Sequence, residues 1–458
     1  VHAADDYHNP LLPVDDVRSV VERLAQVARE KSDWELARKA VEVYAAVAPP
    51  GKDDELAGQV FEAQATALAA RAKTDPAVEE QCREAFRQSA AAYERAAGKA
   101  VAGTDAAARL WQSAHFFLKA GQAPRALEVL ARVTQQDGAV PPEKLGEAWL
   151  LIGTTHHTAQ QFAEARAAYQ KCLSLPGPHA LKAQLALARI DLAEKRFDDA
   201  ERSLQEVLKK VREAAQPDAE LQEQTLFALA ETAYQRQGMI KEDLREYGTA
   251  EQRLRGAIEQ YPESEWAISA RVMLGLCYWN DARLKSRPLE GTQAGRSLLN
   301  EEERKAYQRQ RNDFLRMSAE QFDKAEELLL TRQKTHGRLT ADEARLLKQA
   351  SYWGTDCCFW LQKYDDAVRR YSTLAARYPK APEEMIALSQ IWQSYMYMGQ
   401  PDKAAEMISR MQVALTKIPD SAFDGRLEYH HRDYWVNWLR EVTKPAVPAS
   451  AAPAATGR

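Results

Sequence analysis

The residue types able to do chemistry are few in this chain and poorly spaced for it. His156 and His157 adjoin, as do His430 and His431, the second pair flanked by Glu428 and Asp433. Adjacent residues on a helix project about 100° apart, so neither pair chelates one metal ion without donors from another segment. The five cysteines, Cys82, Cys172, Cys277, Cys357 and Cys358, are odd in number and set in apolar stretches. They suit small buried hydrophobes better than a disulfide framework, and a bond between the neighbours Cys357 and Cys358 would strain the backbone. The chain has no Gly-rich phosphate loop, no G-x-S-x-G elbow, no H-E-x-x-H and no Cys-x-x-Cys. The expectation is a non-enzymatic protein with no catalytic residue, no metal and no cofactor, whose function is recognition.

Charge and hydropathy narrow the partner. Lys and Arg number 62 against 66 Asp and Glu, for a formal net charge of −4. Such a balance offers no net field to hold a phosphate backbone or an anionic membrane surface, so nucleic acid is not expected. No apolar run approaches the roughly 20 residues that cross a bilayer. The first residues, Val1-His2-Ala3-Ala4-Asp5-Asp6, resemble the surroundings of a small-residue signal cleavage site. They lean the expected location toward a bacterial cell envelope or periplasm, with an arbitrary chain start, and hence the cytoplasm, left open.

The elements that would position a binding surface are helices. Hydrophobic residues make up 45% of the chain and charged residues 28%, and Ala, Glu, Arg, Leu and Gln dominate over β-branched types. One segment reads Trp149-x-x-Ile152-Gly153-x-x-His156, then Ala165-x-x-x-Tyr169 and Pro176. A small residue on each of two amphipathic helices lets their backbones approach, and the large residues fill the space to the next pair. The frame recurs as Leu110, Ala114, Phe117, Ala126 and Leu130, and as Leu187, Ala188, Ala200 and Leu204. The alanines Ala126, Ala165 and Ala200 stand 39 and 35 residues apart. It returns as Gly354, Cys358, Ala367, Tyr371 and Pro379, then as Leu388, Ile391, Tyr395, Ala404 and Ile408.

This pattern resembles the tetratricopeptide repeat, whose period is about 34 residues, with His156 in place of the usual aromatic residue. The resemblance implies an all-α, right-handed superhelical solenoid of antiparallel helix pairs. About nine pairs are expected over residues 16–418, after an extended segment at 1–15. A C-terminal capping helix lies within 419–443, carrying Tyr429, Tyr434, Trp435, Trp438 and Leu439, and a disordered Pro/Ala-rich tail spans 444–458. One departure stands out, an insertion at about 281–317. Within it Arg283 to Gly295 reads as a Pro/Gly-interrupted loop, and Asn300-Glu301-Glu302-Glu303 has capping-box spacing. A helical run then opens without a breaker until Gly337. Its first half, Glu301 to Asn312, is nearly all charged or polar, so it reads as a projecting spacer or docking arm.

Members of the family commonly bind polypeptide segments along a surface lined by the first helix of each unit, and stacked repeats create such a groove. In this frame Trp111, His115, His157, Arg189 and Trp279 face it. Next come Tyr352, Trp353, Asp356, Phe359 and Trp360, then Gln393, Met396 and Tyr397. The partner-binding candidates are Trp279, Tyr352, Trp353, Asp356, Phe359, Trp360, Gln393, Met396 and Tyr397, because rings and Met are what peptide-binding surfaces favour. An apolar partner with a basic residue opposite Asp356 is expected. The alternative, that several rings fill the gap between pairs, stays open at this point. The Asn and Lys clamp by which some family members hold a C-terminal carboxylate is not matched, since Gln112, Leu151, Ala186 and Gln390 occupy such positions. The function expected is a scaffold or adaptor for another protein or peptide segment. A ligand- or glycan-binding role beside an enzyme, or a self-associating architectural subunit of a larger assembly, are the alternatives.

Overall fold

The computed structural model describes residues 13–72, 75–100, 103–135, 138, 140–240, 246–290, 292–293, 296–297, 299–423 and 430–443. The expected tail at 444–458, most of the segment at 1–15, and Glu428 and Tyr429 lie outside the described residues.

Among the described residues the helices fall in chain order into nine successive pairs. These are α1 (Val14–Glu30) with α2 (Trp34–Ala45), α3 (Lys52–Ala72) with α4 (Pro76–Lys99), and α5 (Thr104–Lys119) with α6 (Ala123–Thr134). Then come α7 (Pro142–Thr158) with α8 (Phe162–Leu173), α9 (His179–Ala193) with α10 (Phe197–Glu213), and α11 (Ala219–Gln237) with α12 (Gly248–Gln260). The last three are α13 (Glu265–Glu290) with α14 (Glu301–His336), α15 (Ala341–Trp360) with α16 (Tyr364–Arg377), and α17 (Pro382–Tyr397) with α18 (Pro401–Lys417). A final helix, α19 (Arg432–Val442), follows. By contacts the chain forms two units, Val1–Thr232 with His336–Arg338, and Ala233–Thr335 with Leu339–Arg458.

One turn is reused. Ser32, Gly121, Gln160, Lys195, Gln362 and Gly399 each take a left-handed conformation, with φ between 58° and 73°, at the end of a first helix. The next amide reaches back to close the helix, as Gln161 N–H does to the His156 carbonyl at 2.9 Å and Lys363 N–H to Cys358 at 2.9 Å. That bond consumes carbonyls the helix end would otherwise leave unpaired. Five residues after each turn stands an alanine of the second helix: Ala37, Ala126, Ala165, Ala200, Ala367 and Ala404, all 1% exposed or less. The alanine frame in the sequence is thus the register of a recurring helical hairpin.

At three first-helix glycines an aromatic ring of the second helix lies on the bare backbone. In the first unit a Cβ placed on Gly58 would fall 2.8 Å from the Tyr93 ring, and one on Gly153 would overlap the Tyr169 ring. In the second unit a Cβ on Gly275 would fall 2.8 Å from Phe322. Beside two of these contacts a buried serine ties the helices together, Ser89 Oγ donating to the Gly58 carbonyl at 2.9 Å and Ser318 Oγ to Gly275 at 2.8 Å. Cysteines fill the same role: Cys82 and Cys172 are buried and donate to the carbonyls of Ala65 and Gly146.

The pair α13/α14 departs from the rest. The expected loop from Arg283 is instead a continuation of α13 to Glu290, with Pro288 inside its last turn. Residues 292–293 and 296–297 pair as a two-residue antiparallel ladder. Asn300 and Glu303 then cap each other reciprocally, at 2.9 and 3.0 Å, and start the 36-residue α14. The charged first half of α14 is exposed on all sides from Glu301 to Ala306 and partly covered on one side from Tyr307 onward. Tyr307, Gln308, Arg311 and Asn312 are half-buried, so it is no free-standing arm. Its second half joins α15 and α16 through ions. Arg370 contacts Asp323 at 2.5 Å, Arg377 contacts Glu326 at 3.1 Å, and Ser351 Oγ donates to Glu326 at 2.7 Å.

The C-terminal helix is shorter than expected, and most of the aromatic residues assigned to it pack. Trp435 and Leu439 are buried, Trp438 meets Trp392 with ring centroids 5.1 Å apart, and Arg432 donates to the Leu415 carbonyl at 2.9 Å.

The glycine contact is testable. Gly153→Ala puts a methyl group inside the Tyr169 ring volume and is expected to lower stability by about 1–3 kcal/mol. Gly256 lies in α12 with open space around it, so Gly256→Ala is expected to raise stability by about 0.5–1 kcal/mol through helix propensity. Thermal or urea melts of the two variants measure both. Equal melts would mean that the ring does not depend on the missing side chain.

Candidate functional site

The candidate face lies in the second unit, on α13, α15 and α17. Trp279 meets Trp353 edge-on at 5.0 Å between ring centroids and Trp360 at 6.5 Å. Trp360 meets Phe359 at 5.7 Å, and Phe359 meets both Tyr364 and Tyr397, which stack on each other at 5.5 Å and 7°. Six rings therefore form a continuous ladder, mostly in the edge-to-face geometry that the ring quadrupole favours. Trp360 (51%), Met396 (49%) and Tyr397 (62%) are its solvent-exposed edge. Trp279, Trp353 and Gln393 are half-buried.

Three of the expected site residues do not face solvent with them. Phe359 is only 6% exposed and belongs to the core between α15, α16 and α17. Tyr352 packs on Tyr378 at 6.3 Å and donates its hydroxyl to the Glu383 carbonyl at 2.7 Å. Asp356 accepts the hydroxyl of the buried Tyr371, so its carboxylate is engaged inside the hairpin. The single stripe read from spacings of four, three and one is in fact two faces. Residues 353 and 360 turn toward α13, whereas 352, 356 and 359 turn toward α16 and α17, because at about 100° per residue a shift of one position changes the neighbour. A basic partner residue opposite Asp356 is accordingly withdrawn.

Residues that the sequence reading missed lie beside the ladder. Tyr364, the first residue of α16, completes the stack with Tyr397. Arg283 and Arg287 approach it from the extension of α13, and Arg311 from α14. Their helical spacing, with Ala282 and Ser286 four apart on the same side, was present in the sequence but masked by Pro288.

In the first unit the expected groove residues are dispersed. Trp111 is half-buried under Lys144, whose Nζ sits 5.3 Å from the ring centroid. His115 is exposed, at a shallow hollow of about 270 Å³ with Glu62, Lys119 and Glu147. His157 is turned into the hairpin, edge-on to Phe162 and Tyr169, and its pKa is lowered by burial and by Arg189. His156 shares a 2.7 Å hydrogen bond between its Nδ1 and the Gln161 Oε1. Among the described residues no three His, Cys, Asp or Glu side chains could together hold a metal ion, and no helix is long and apolar enough to cross a membrane.

The family described as "Tetratricopeptide repeat" matches residues 146–178, which comprise most of α7, all of α8 and the Gly153–Tyr169 contact. This hairpin is a tetratricopeptide repeat. Its left-handed turn and buried alanine recur in five other helix pairs of the chain. Among solved structures the chain is similar to a tetratricopeptide repeat protein from Parabacteroides merdae, at 13% identity over 67% of this chain and 93% of that one, with a TM-score of 0.37. It is also similar to the C-terminal part of a repeat-containing protein of this type from Cytophaga hutchinsonii (16%, 58% and 89%, TM-score 0.39). A third is a signal transduction ATPase with a tetratricopeptide repeat sensor from Pyrococcus horikoshii (11%, 81% and 54%, TM-score 0.46). No curated protein matches the chain.

The internal acid of the repeat at α15/α16 gives a pH signature. Burial pushes the Asp356 pKa up to about 7, partly offset by the Tyr371 hydroxyl. The native carboxyl then keeps its proton to a higher pH than the unfolded one, whose pKa is about 3.9. Native protein therefore binds more protons between about pH 4 and pH 7, and stability falls as pH rises through that window. Asp356→Asn keeps an acceptor for Tyr371 and removes the titration. Melts from pH 4 to 8 are expected to show a flatter profile in the variant than in the wild type, and an unchanged slope would place the titrating group elsewhere.

Proposed function

We propose that the chain is a non-catalytic scaffold that docks a segment of a partner protein on the first-helix face of α13, α15 and α17. One observation carries this reading: a ladder of six packed rings whose outer edge, Trp360, Met396 and Tyr397, is left open to solvent. Large apolar side chains exposed side by side cost solvation in the free protein and are repaid only when a partner covers them. Rings already fixed by their neighbours lose little conformational entropy on binding, which makes them suitable anchors. The repeat fold supports the reading, because it presents first helices side by side as a continuous surface.

The burial pattern separates docking from packing. Trp360→Ala and Tyr397→Ala are expected to leave the melt nearly unchanged and to weaken binding by about 2 kcal/mol, roughly 30-fold. Phe359→Ala is expected to cost about 3–5 kcal/mol of stability, as for a buried ring. The measurement pairs melts with titrations of peptides selected on the full chain from a displayed random twelve-residue library. Selected peptides that bind Trp360→Ala and Tyr397→Ala as well as wild type would remove the docking face.

A further inference from the structure

A cavity of about 350 Å³ opens beside the exposed edge of the ladder, between the extension of α13, the first half of α14 and the end of α15. Among the described residues its walls carry the indoles of Trp279 and Trp360 and three guanidinium groups, Arg283, Arg287 and Arg311, against one carboxylate, that of Glu290. The lining is therefore net positive in a chain whose formal net charge is −4. Arg283 and Arg287 stand four residues apart, on one side of α13, and Arg311 comes from the neighbouring helix.

Neutral groups orient two of these cations. Arg283 Nη2 donates to Asn280 Oδ1 at 3.2 Å, and Arg311 donates through Nε and Nη2 to Asn312 Oδ1 at 3.2 and 3.0 Å. At Arg311 the amide positions the guanidinium without cancelling its charge. Burial and the nearby Arg287 both pull the Arg283 pKa below its usual value, the mark of like charges held together. An anion in the cavity would relieve that repulsion and accept forked hydrogen bonds, while the indoles offer flat apolar walls to whatever carries it.

We propose that this cavity receives the carboxylates of an acidic partner segment, an Asp or Glu next to an aromatic or branched apolar residue that packs on Trp279 and Trp360. The proposal rests on the docking reading above and specifies the chemistry of its occupant. It also reverses the charge expected from Asp356, which the hairpin keeps to itself. The site is built from the departure in the repeat, the α13 extension and the inserted part of α14. A nucleic acid, with phosphates for the arginines and bases for the indoles, would need a cationic track leading away from the cavity. From Trp360 toward α17, what leads away is the uncharged ladder of Phe359, Tyr364 and Tyr397.

The test uses the full chain and the selected twelve-residue peptides, titrated by fluorescence anisotropy against wild type, Trp360→Ala and the double variant Arg287→Gln/Arg311→Gln. A single-stranded RNA twelve-mer serves as the competing probe. The expected result is enrichment of Asp and Glu beside apolar residues and loss of about tenfold or more in affinity in each variant. Wild-type binding should also weaken from about 0.05 to 0.5 M NaCl, and the double arginine variant should be less salt-sensitive. Peptides that lose binding in Trp360→Ala but show no acidic bias and bind the arginine variant normally would overturn the charge assignment and leave the docking face standing. Peptides indifferent to both variants, or no enrichment at all, would overturn both. RNA binding tighter than any selected peptide, with the same arginine dependence, would overturn the acidic-segment proposal in favour of nucleic acid. Unchanged melts of the variants tie each loss to the site.

Discussion

The close approach of two helices at a residue without a large side chain is the constraint on which the rest of this structure depends. At Gly58, Gly153 and Gly275 the ring of a second helix lies where a Cβ would be, and the buried alanines fill the reciprocal positions on six second helices. Backbones brought this near also let serine and cysteine side chains reach a facing carbonyl, so the contact is apolar and hydrogen-bonded at once. The tyrosine hydroxyls then emerge near polar groups of the first helix. Tyr44 reaches Glu22 and Tyr371 reaches Asp356, which fixes the rotation of each first helix about its own axis.

That rotation decides which side chains are available for recognition. With Asp356 turned to Tyr371, the preceding and following positions are committed as well: Trp353 and Trp360 point toward Trp279, and Phe359 drops into the core. The exposed edge of the ladder is therefore a by-product of hairpin packing in the repeat at α15/α16. Its neighbour α13/α14 adds what an ordinary repeat lacks. Because α13 runs on to Glu290 and α14 begins well before its core contact at Ser318, two helical segments flank the end of α15 and bring three arginines to Trp360. Apolar anchors and cationic groups are thus adjacent, the combination in which a buried edge supplies affinity and charge supplies selection.

Much of the fold was legible in the sequence because it is periodic. Small residues at a fixed distance from a helix end, Ala126, Ala165 and Ala200 among them, mark a register that local chemistry enforces at each hairpin, and the reciprocal cap at Asn300 and Glu303 is likewise local. The fate of the cysteines followed from their apolar surroundings, and they are free and mostly buried. Arg283 to Glu290 reads as a loop because Pro288 signals a break by itself, whereas α13 runs through Pro288 to Glu290. Composition alone made Glu301 to Asn312 a projecting arm; Glu301 to Ala306 is exposed all round, but one side is covered from Tyr307 onward.

The sequence by itself determined most of the helical hairpins, since these rest on interactions within about 35 residues of chain, whereas α13 and α14 are joined at longer range, as where Ser318 reaches Gly275. The tertiary structure alone decided the face each ring presents. Tyr352, Asp356, Phe359 and Trp360 satisfy one helical stripe on spacing grounds, and only the neighbours α13, α16 and α17 divide them into core and surface. A rotation of about 100° separates adjacent positions on a helix, so an uncertainty of one residue in the contact line exchanges a buried ring for an exposed one. The meeting of Trp360 with arginines from α13 and α14 depends on segments some 50 to 80 residues away in sequence. No local pattern specifies that meeting, because it is set by how whole helices pack.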